Sequence, residues 1–163
     1  MNKEQLDNYY HNIFDNKPDG LDISVLKIVL PLTLIQKEVM QQNSLLLEKK
    51  YDLTLSQINL LSTLLFNDMT MSPTQLSQSM VFSSGGMTKL LKSLESRELI
   101  ERIESSQDRR SMLVQLSPKG KAMCKKAIPD LLESDHTIFS TLDSSEQEQL
   151  AKILKKLVYT MVS

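Results

Sequence analysis

The side chains best placed to do chemistry in this sequence are four cations. Lys89 and Lys92 lie in the run Met87-Thr88-Lys89-Leu90-Leu91-Lys92-Ser93-Leu94, where Met87, Leu90, Leu91 and Leu94 recur at i, i+3, i+4 and i+7. Arg109 and Arg110 follow Gln107-Asp108 between two short segments of strand character. Cations on one helical face and at the tip of a ribbon can neutralise phosphates and reach base edges, the two tasks of a DNA-binding surface. Arg109 and Arg110 suit a narrow minor groove, where negative potential is concentrated. Bare Asp108 would be repelled by DNA, so we read it as a brace that pairs with a neighbouring Arg or a helical Lys and fixes the ribbon's angle.

Hydroxyls and glycines extend this surface. Ser72, Thr74, Ser83 and Ser84 stand at helix starts, where hydroxyls and free amides suit phosphate; the same residues also cap helices, and both roles can hold at once. Gly85-Gly86 costs a helix up to about 1 kcal/mol per glycine relative to Ala, which points to close approach of the backbone to a partner. Ser84, Thr88, Lys89, Lys92, Ser93 and Ser96 fall on the face opposite the leucines, polar, basic and free of carboxylates. Met87 divides between core and an apolar base contact, and we read it as core.

The elements that must position these groups follow from capping signals and periodicity. Ser72-Pro73-Thr74-Gln75 opens a short helix that buries Leu76 and Met80, and Ser83-Ser84 opens the next, which runs to Ser96. Ile100 to Glu104 and Ser111 to Leu116 form a two-stranded ribbon joined by residues 105–110. Helix, turn, helix and ribbon together make a helix-turn-helix with a wing, the second helix directed at the major groove and the first bracing across the backbone. Upstream, Thr54-Leu55-Ser56-Gln57 is a capping box for a helix that turns Leu55, Ile58, Leu61, Leu64 and Leu65 inward and stops near Asn67-Asp68. A long helix over about 22–49, apolar nearly all round, contains Pro31, which predicts a kink or a later start. Residues 3–14 form a short helix that ends at Asn16-Lys17-Pro18-Asp19-Gly20. Ser117-Pro118 opens a helix to about Ser134 with a local bend at Pro129, and Asp143-Ser144-Ser145-Glu146 caps a last one bearing Leu150, Ile153, Leu154, Leu157, Val158 and Met161.

Charge is consistent with this placement. The chain of 163 residues has 19 basic and 20 acidic side chains. Residues 1–82 balance at -3, residues 83–126 at +5 and residues 127–163 at -3. Affinity for a polyanion depends on the cations gathered on one face, so the concentrated middle outweighs the neutral total. With 40% apolar residues, 4 Gly, 5 Pro and no Trp, the composition favours a mainly helical protein of one domain plus an extension. No apolar run approaches the roughly 20 residues that span a bilayer, and Met-Asn-Lys-Glu-Gln begins no hydrophobic signal. No membrane contact and a cytoplasmic location are therefore expected, and the lone Cys124 agrees with a reducing compartment.

Other chemistry is not signalled. The sequence contains no phosphate-binding glycine loop, nucleophile elbow, HExxH or paired Cys-x-x-Cys motif. No enzyme activity, catalytic residue, metal or cofactor is expected. A histidine or zinc site would need the distant His11 and His136 to converge with a carboxylate such as Asp135. Lys125 and Lys126 beside Cys124 could activate its thiol, but a small buried hydrophobe is the commoner role and the one adopted here.

Taken together, Leu53-Thr54-Leu55-Ser56-Gln57, Met87 to Glu95, Leu99-Ile100-Glu101-Arg102, Asp108-Arg109-Arg110-Ser111 and Val114-Gln115-Leu116-Ser117-Pro118-Lys119-Gly120 resemble the MarR (multiple-antibiotic-resistance regulator) family of winged helix-turn-helix proteins over about residues 24–162. The resemblance implies a mainly α fold: a DNA-binding lobe with a two-stranded β-wing, and a helical dimerisation lobe built from the N- and C-terminal helices. It implies a homodimer on double-stranded DNA, with half-sites about 10 base pairs apart. It also implies a transcriptional repressor modulated by a small aromatic or anionic effector, whose binding residues the sequence does not identify.

On this reading residues 1–20 are an extension that adds dimer contacts, and 21–162 are the winged helix domain. Within it, the helix-turn-helix covers 72–95, the wing 100–116, and the dimerisation helices about 22–49 and 118–162. Glu98 stands where the family often has Gly, so a different exit from the recognition helix is expected. The family's peroxide sensors carry a Cys near the start of the first long helix, and none is present here. The alternatives are a winged-helix adaptor that binds protein through the same surface, and a switch operated by metal or redox chemistry at His11, His136 or Cys124.

Overall fold

A computed structural model describes residues 3–80, 86–104 and 112–161. The chain divides into two compact units, Met1–Glu38 and Val39–Ser163. Its elements, in order, are α1 (Lys3–Asp15), α2 (Leu26–Tyr51), α3 (Leu55–Phe66), β1 (Thr70–Met71), α4 (Pro73–Ser79), α5 (Met87–Ser96), β2 (Ile100–Glu104), β3 (Met112–Leu116), α6 (Pro118–Phe139) and α7 (Ser144–Met161). The protein is mainly α with a small antiparallel sheet, as expected.

In the first unit, α1 buries no residue, and its rings pack on one another, Tyr10 against Phe14 at 6.0 Å and Tyr9 edge-on to Tyr10 at 6.3 Å. Gly20, at φ 75°, makes the turn in which the Leu21 amide donates to Pro18 O. The long helix α2 starts at Leu26, later than the expected Asp22, with Pro31 inside it.

The second unit is organised around α3. Thr54 and Gln57 form the expected reciprocal cap, and Leu60, Leu61 and Leu64 are 0% exposed. Leu60 was not among the residues expected to point inward; burial of Gln57, Ile58 and Thr63 as well shows that α3 is enclosed on more than one face. A helix covered all round loses the amphipathic stripe on which periodicity arguments depend. Truncating any of these three leucines to Ala would cost about 2–5 kcal/mol.

The wing differs from expectation in one respect. β2 and β3 pair antiparallel from Ile100↔Leu116 to Glu104↔Met112, but β1 joins the other edge of β3 with Thr70↔Gln115 and Met71↔Val114, giving three strands in the order β1-β3-β2. β1 is only two residues long, too short for alternation to reveal it. It is set up by Asp68 and Met69, at φ 57° and 63°, and by the Leu116 amide, which donates to Met69 O.

Helix α6 begins at the Ser117-Pro118 cap and continues past the expected Ser134 to Phe139, through Pro129. Its first turn lies against the start of the wing. The Ser117 amide donates to Leu99 O at 3.2 Å and Ser117 Oγ donates to Glu98 O at 2.6 Å. A Cβ on Gly120 would lie 2.1 Å from Leu99 O and 2.8 Å from Leu116 Cδ1. Only glycine fits this contact without moving backbone. We therefore expect Gly120→Ala to lower unfolding free energy by about 2 kcal/mol or more, read from the urea midpoint. An unchanged midpoint would show that α6 and β2 can separate at no cost.

Candidate nucleic-acid interface and effector cavity

The two helices of the expected DNA-reading motif are α4 and α5. Ser72 caps α4: its Oγ accepts from the Gln75 amide at 3.2 Å, and Gln75 Oε1 accepts from the Ser72 amide at 2.9 Å. Leu76 and Met80 are buried, and Thr74 is exposed. Helix α5 starts at Met87, later than the expected Ser83. Gly86 is its N-cap at φ 102°, with its carbonyl accepting from the Lys89 and Leu90 amides. Gly86 therefore serves the backbone turn and does not sit within the helix at a propensity cost. Leu91 and Leu94 are buried, Met87 and Leu90 pack against the core, and Thr88, Lys89 and Lys92 are exposed. The first turn of α5 has no acidic residue. Ser83, Ser84, Gly85, Asp108, Arg109 and Arg110 lie outside the described residues.

Ser93 was expected to face outward with the lysines. Instead it is half-buried, and its Oγ accepts from Gln57 Nε2 at 3.0 Å. One side chain thus caps α3 through its Oε1 and holds α5 through its Nε2. The sequence signal was the capping box, which uses only half of the Gln57 amide. Arg97 makes a second tie, donating from Nη2 to Tyr51 O at 3.2 Å and from Nη1 to Asp52 O, so that the end of α5 is fixed to the end of α2. These groups border a polar cleft of about 540 Å³ that also includes Ser44, Glu48 and Thr54. Across the lobe, Tyr51 Oη donates to Lys126 O at 3.0 Å and to Asp130, which also pairs with Lys50. The Lys50 and Tyr51 hydrogen bonds hold the Asp130 carboxyl below its ordinary range.

The exit from α5 corrects the expectation about Glu98. Glu98 adopts φ 60°, the left-handed conformation usually left to glycine. Its amide donates to Glu95 O at 2.9 Å and the Leu99 amide to Leu94 O at 3.0 Å. This is the Schellman pattern, with buried Leu94 and Leu99 as its apolar pair. Lys119 Nζ donates to the Glu98 carboxylate at 2.8 Å, which, with its Coulombic attraction, holds that carboxyl below its usual range. The glycine-like exit is kept although the glycine is absent.

A second cavity, about 330 Å³, opens between α2, α3 and α6. Its walls are mainly apolar, with Ile58, Phe66, Leu131 and Leu132 among them, and its polar groups are Asn43, Asn59, Ser62 and Asp135. Asn43 Nδ2 donates to Asp135 Oδ1 at 2.8 Å. From sequence, Asp135 was named only as a carboxylate that a histidine or zinc site would need, and no other residue of this cavity as a binding group, because the lining is divided among three helices and forms no local motif.

The MarR family model matches residues 51–111. The transcriptional repressor MprA of Escherichia coli is 34% identical over 89 residues, 55% of this chain and 51% of that protein. Over residues 51–111 the chain is thus similar to the MarR family. The chain spans 51% of MprA, about half of that relative's length. Among solved structures, a Staphylococcus aureus MepR–DNA complex aligns with a TM-score of 0.70 at 24% identity, covering 82% of this chain and 97% of that one. Bordetella bronchiseptica BpsR, whose DNA binding is regulated by 6-hydroxynicotinic acid, aligns at 0.71 and 19%, covering 85% and 98%. At these identities both structures establish a common fold, the MarR winged helix.

Cys124 is 0% exposed, and burial pushes its thiol up to about 11. Among the described residues no group of three or more His, Cys, Asp or Glu side chains could hold a metal ion, and no helix is long and apolar enough to cross a membrane. Being a neutral thiol at pH 7, Cys124 should resist a thiol-reactive disulfide reagent in the folded protein and react fully in denaturant. Rapid labelling without denaturant would return it to the list of candidate switches.

Proposed function

We propose that this protein is a sequence-specific, DNA-binding regulator of transcription that acts as a homodimer, in the repressing mode of its relative MprA, and is modulated by a small molecule in the cavity between α2, α3 and α6. The observation that carries the DNA part is the division of α5: leucines packed inward, and Thr88, Lys89 and Lys92 exposed beside a first turn without acidic residues. A helix so divided offers cations to phosphates and base edges. Ser72 and Thr74 at the start of α4, Ser83, Ser84 and Gly85 before α5, and Arg109 and Arg110 after β2 complete the proposed surface, with Asp108 as its brace. The MepR–DNA complex supports this reading, and BpsR supports an effector acting on DNA affinity.

Dimerisation is supported by apolar side chains that neither unit covers. In the first unit Ile28, Leu32 and Ile35, spaced i, i+4 and i+7, are exposed. In the second, α7 buries no residue, while Ile153, Leu157, Val158 and Met161 are exposed. Leaving such a stripe in water forgoes about 25 cal/mol for each Å² that a second copy would cover. The domain organisation follows: 1–20 an extension, 21–162 the winged helix domain, with the long helices at either end forming the dimer. We place its site of action in the cytoplasm.

Selection of genomic fragments by the purified protein supplies the operator, and binding is then measured as a function of salt. Each neutralised phosphate contributes about -0.9 to the slope of log affinity on log salt. Lys89→Ala, Lys92→Ala and Arg110→Ala should each weaken binding, and a lysine that meets phosphate should reduce the slope by about one unit. Unaltered affinity and slope in all three variants would rule out the assigned surface.

A further inference from the structure

The cavity between α2, α3 and α6 has an electrostatic character that selects among ligands. Among the described residues that line it, Asp135 is the one charged side chain, and no described Lys, Arg or His accompanies it there. Its Oδ1 accepts from Asn43 Nδ2, and this fixes the orientation of the Asn43 amide, since the reverse would set carbonyl oxygen against carboxylate. Asn43 Oδ1 is then left over. It is buried with no hydrogen-bond partner, on a side chain only 8% exposed. Carboxylate and amide carbonyl together form an acceptor-rich wall that lacks a donor. On α3, Asn59 Nδ2 is likewise buried without a partner and supplies one donor.

We infer that the cavity takes a lipophilic amine, protonated at neutral pH, and not the anionic class of effector that the family resemblance allowed. An ammonium head supplies N–H donors and positive charge to Asp135 and Asn43, where a carboxylate would be desolvated beside like charge with no cation to meet it. The apolar body lies against Ile58, Phe66 and Leu131, and an acceptor on that body can meet Asn59. Unpartnered buried polar atoms each carry a desolvation penalty, so a ligand that supplies their partners recovers more than its apolar contact alone. This inference rests on the cavity being the effector site of the proposed regulator, but it concerns the chemistry of the occupant and can be tested without DNA.

Three probes with one ring system separate the possibilities: naphthylmethylamine, naphthylmethanol and naphthoate, titrated against the full-length protein by calorimetry at pH 7. The amine should bind about tenfold or more tightly than naphthoate, with the alcohol between them, as one unbalanced charge contact requires. Asp135→Asn keeps the shape and should cost the amine about tenfold while leaving the alcohol almost unchanged. Ser62→Phe, which fills the cavity from α3, should abolish binding of all three, with circular dichroism and the urea midpoint reporting that the fold persists. Equal or tighter binding of naphthoate, indifference of the amine to Asp135→Asn, or no binding of any probe would overturn the inference. Operator binding in the presence of each probe keeps the two proposals distinct. If naphthoate alone releases operator, regulation through a small molecule stands and the amine assignment fails. If the amine occupies the cavity without altering operator affinity, the assignment stands and the regulatory reading fails.

Discussion

The packing of α4, α5, β3 and α6 depends on the burial of one short helix. α3 places Leu60, Leu61 and Leu64 wholly out of water, and its neighbours take their positions from it. On one side Ile58, Asn59 and Ser62 form a wall of the apolar cavity; at its N-terminus Gln57 reaches Ser93 on α5. A close-packed helix cannot be displaced on one side without the other side registering it, because interiors at crystal-like density move as discrete packings and do not deform smoothly. The cavity and the exposed lysine face of α5 are therefore joined by a rigid body with a hydrogen bond at one end. That is the physical basis for the proposed action of an effector on DNA affinity, and the proposal requires that the effector interact differently with two arrangements of α3.

The ribbon is held by backbone geometry at the other end of α5. Glu98 turns left-handed, Leu99 caps the helix, and Leu99 O then meets Ser117 N and the bare Cα of Gly120. The end of α5, the start of the wing and the first turn of α6 converge within a few residues. A left-handed non-glycine residue costs of order 1 kcal/mol, and here that cost is offset by a Schellman pair of hydrogen bonds, a buried leucine pair and the hydrogen bond to Glu98 O. Such an arrangement ties the base of the ribbon to the end of α5 and the start of α6.

Much of this was legible in the residues. Caps at Thr54, Ser72, Ser117 and Asp143 use side chains adjacent in sequence to the amides they satisfy, and all four were readable as local grammar. The inward faces of α4 and α5 followed from spacing, because each of these helices has one side to bury. Where several elements had to meet, reading failed. Leu60 was missed because α3 is enclosed on several faces, β1 because two residues carry no alternation, and Ser93 because its partner is 36 residues away. Glu98 misled for a different reason: residue type indicates which conformation is cheap, and tertiary contacts can sustain a dear one. The cavity was invisible for the same cause as Ser93, since Asn43, Asn59 and Asp135 come together only when three helices pack.

Coupling across α3 can be observed without operator or ligand. Native-state hydrogen exchange would be compared between the wild-type protein and Ser62→Phe, which loads the cavity side of α3, with attention to the amides of Leu90 to Glu95 on the far side. The account predicts that protection in this part of α5 changes while that of the distal turns of α7 does not. Identical exchange along α5 in the two proteins, with the cavity filled and the fold intact, would contradict it.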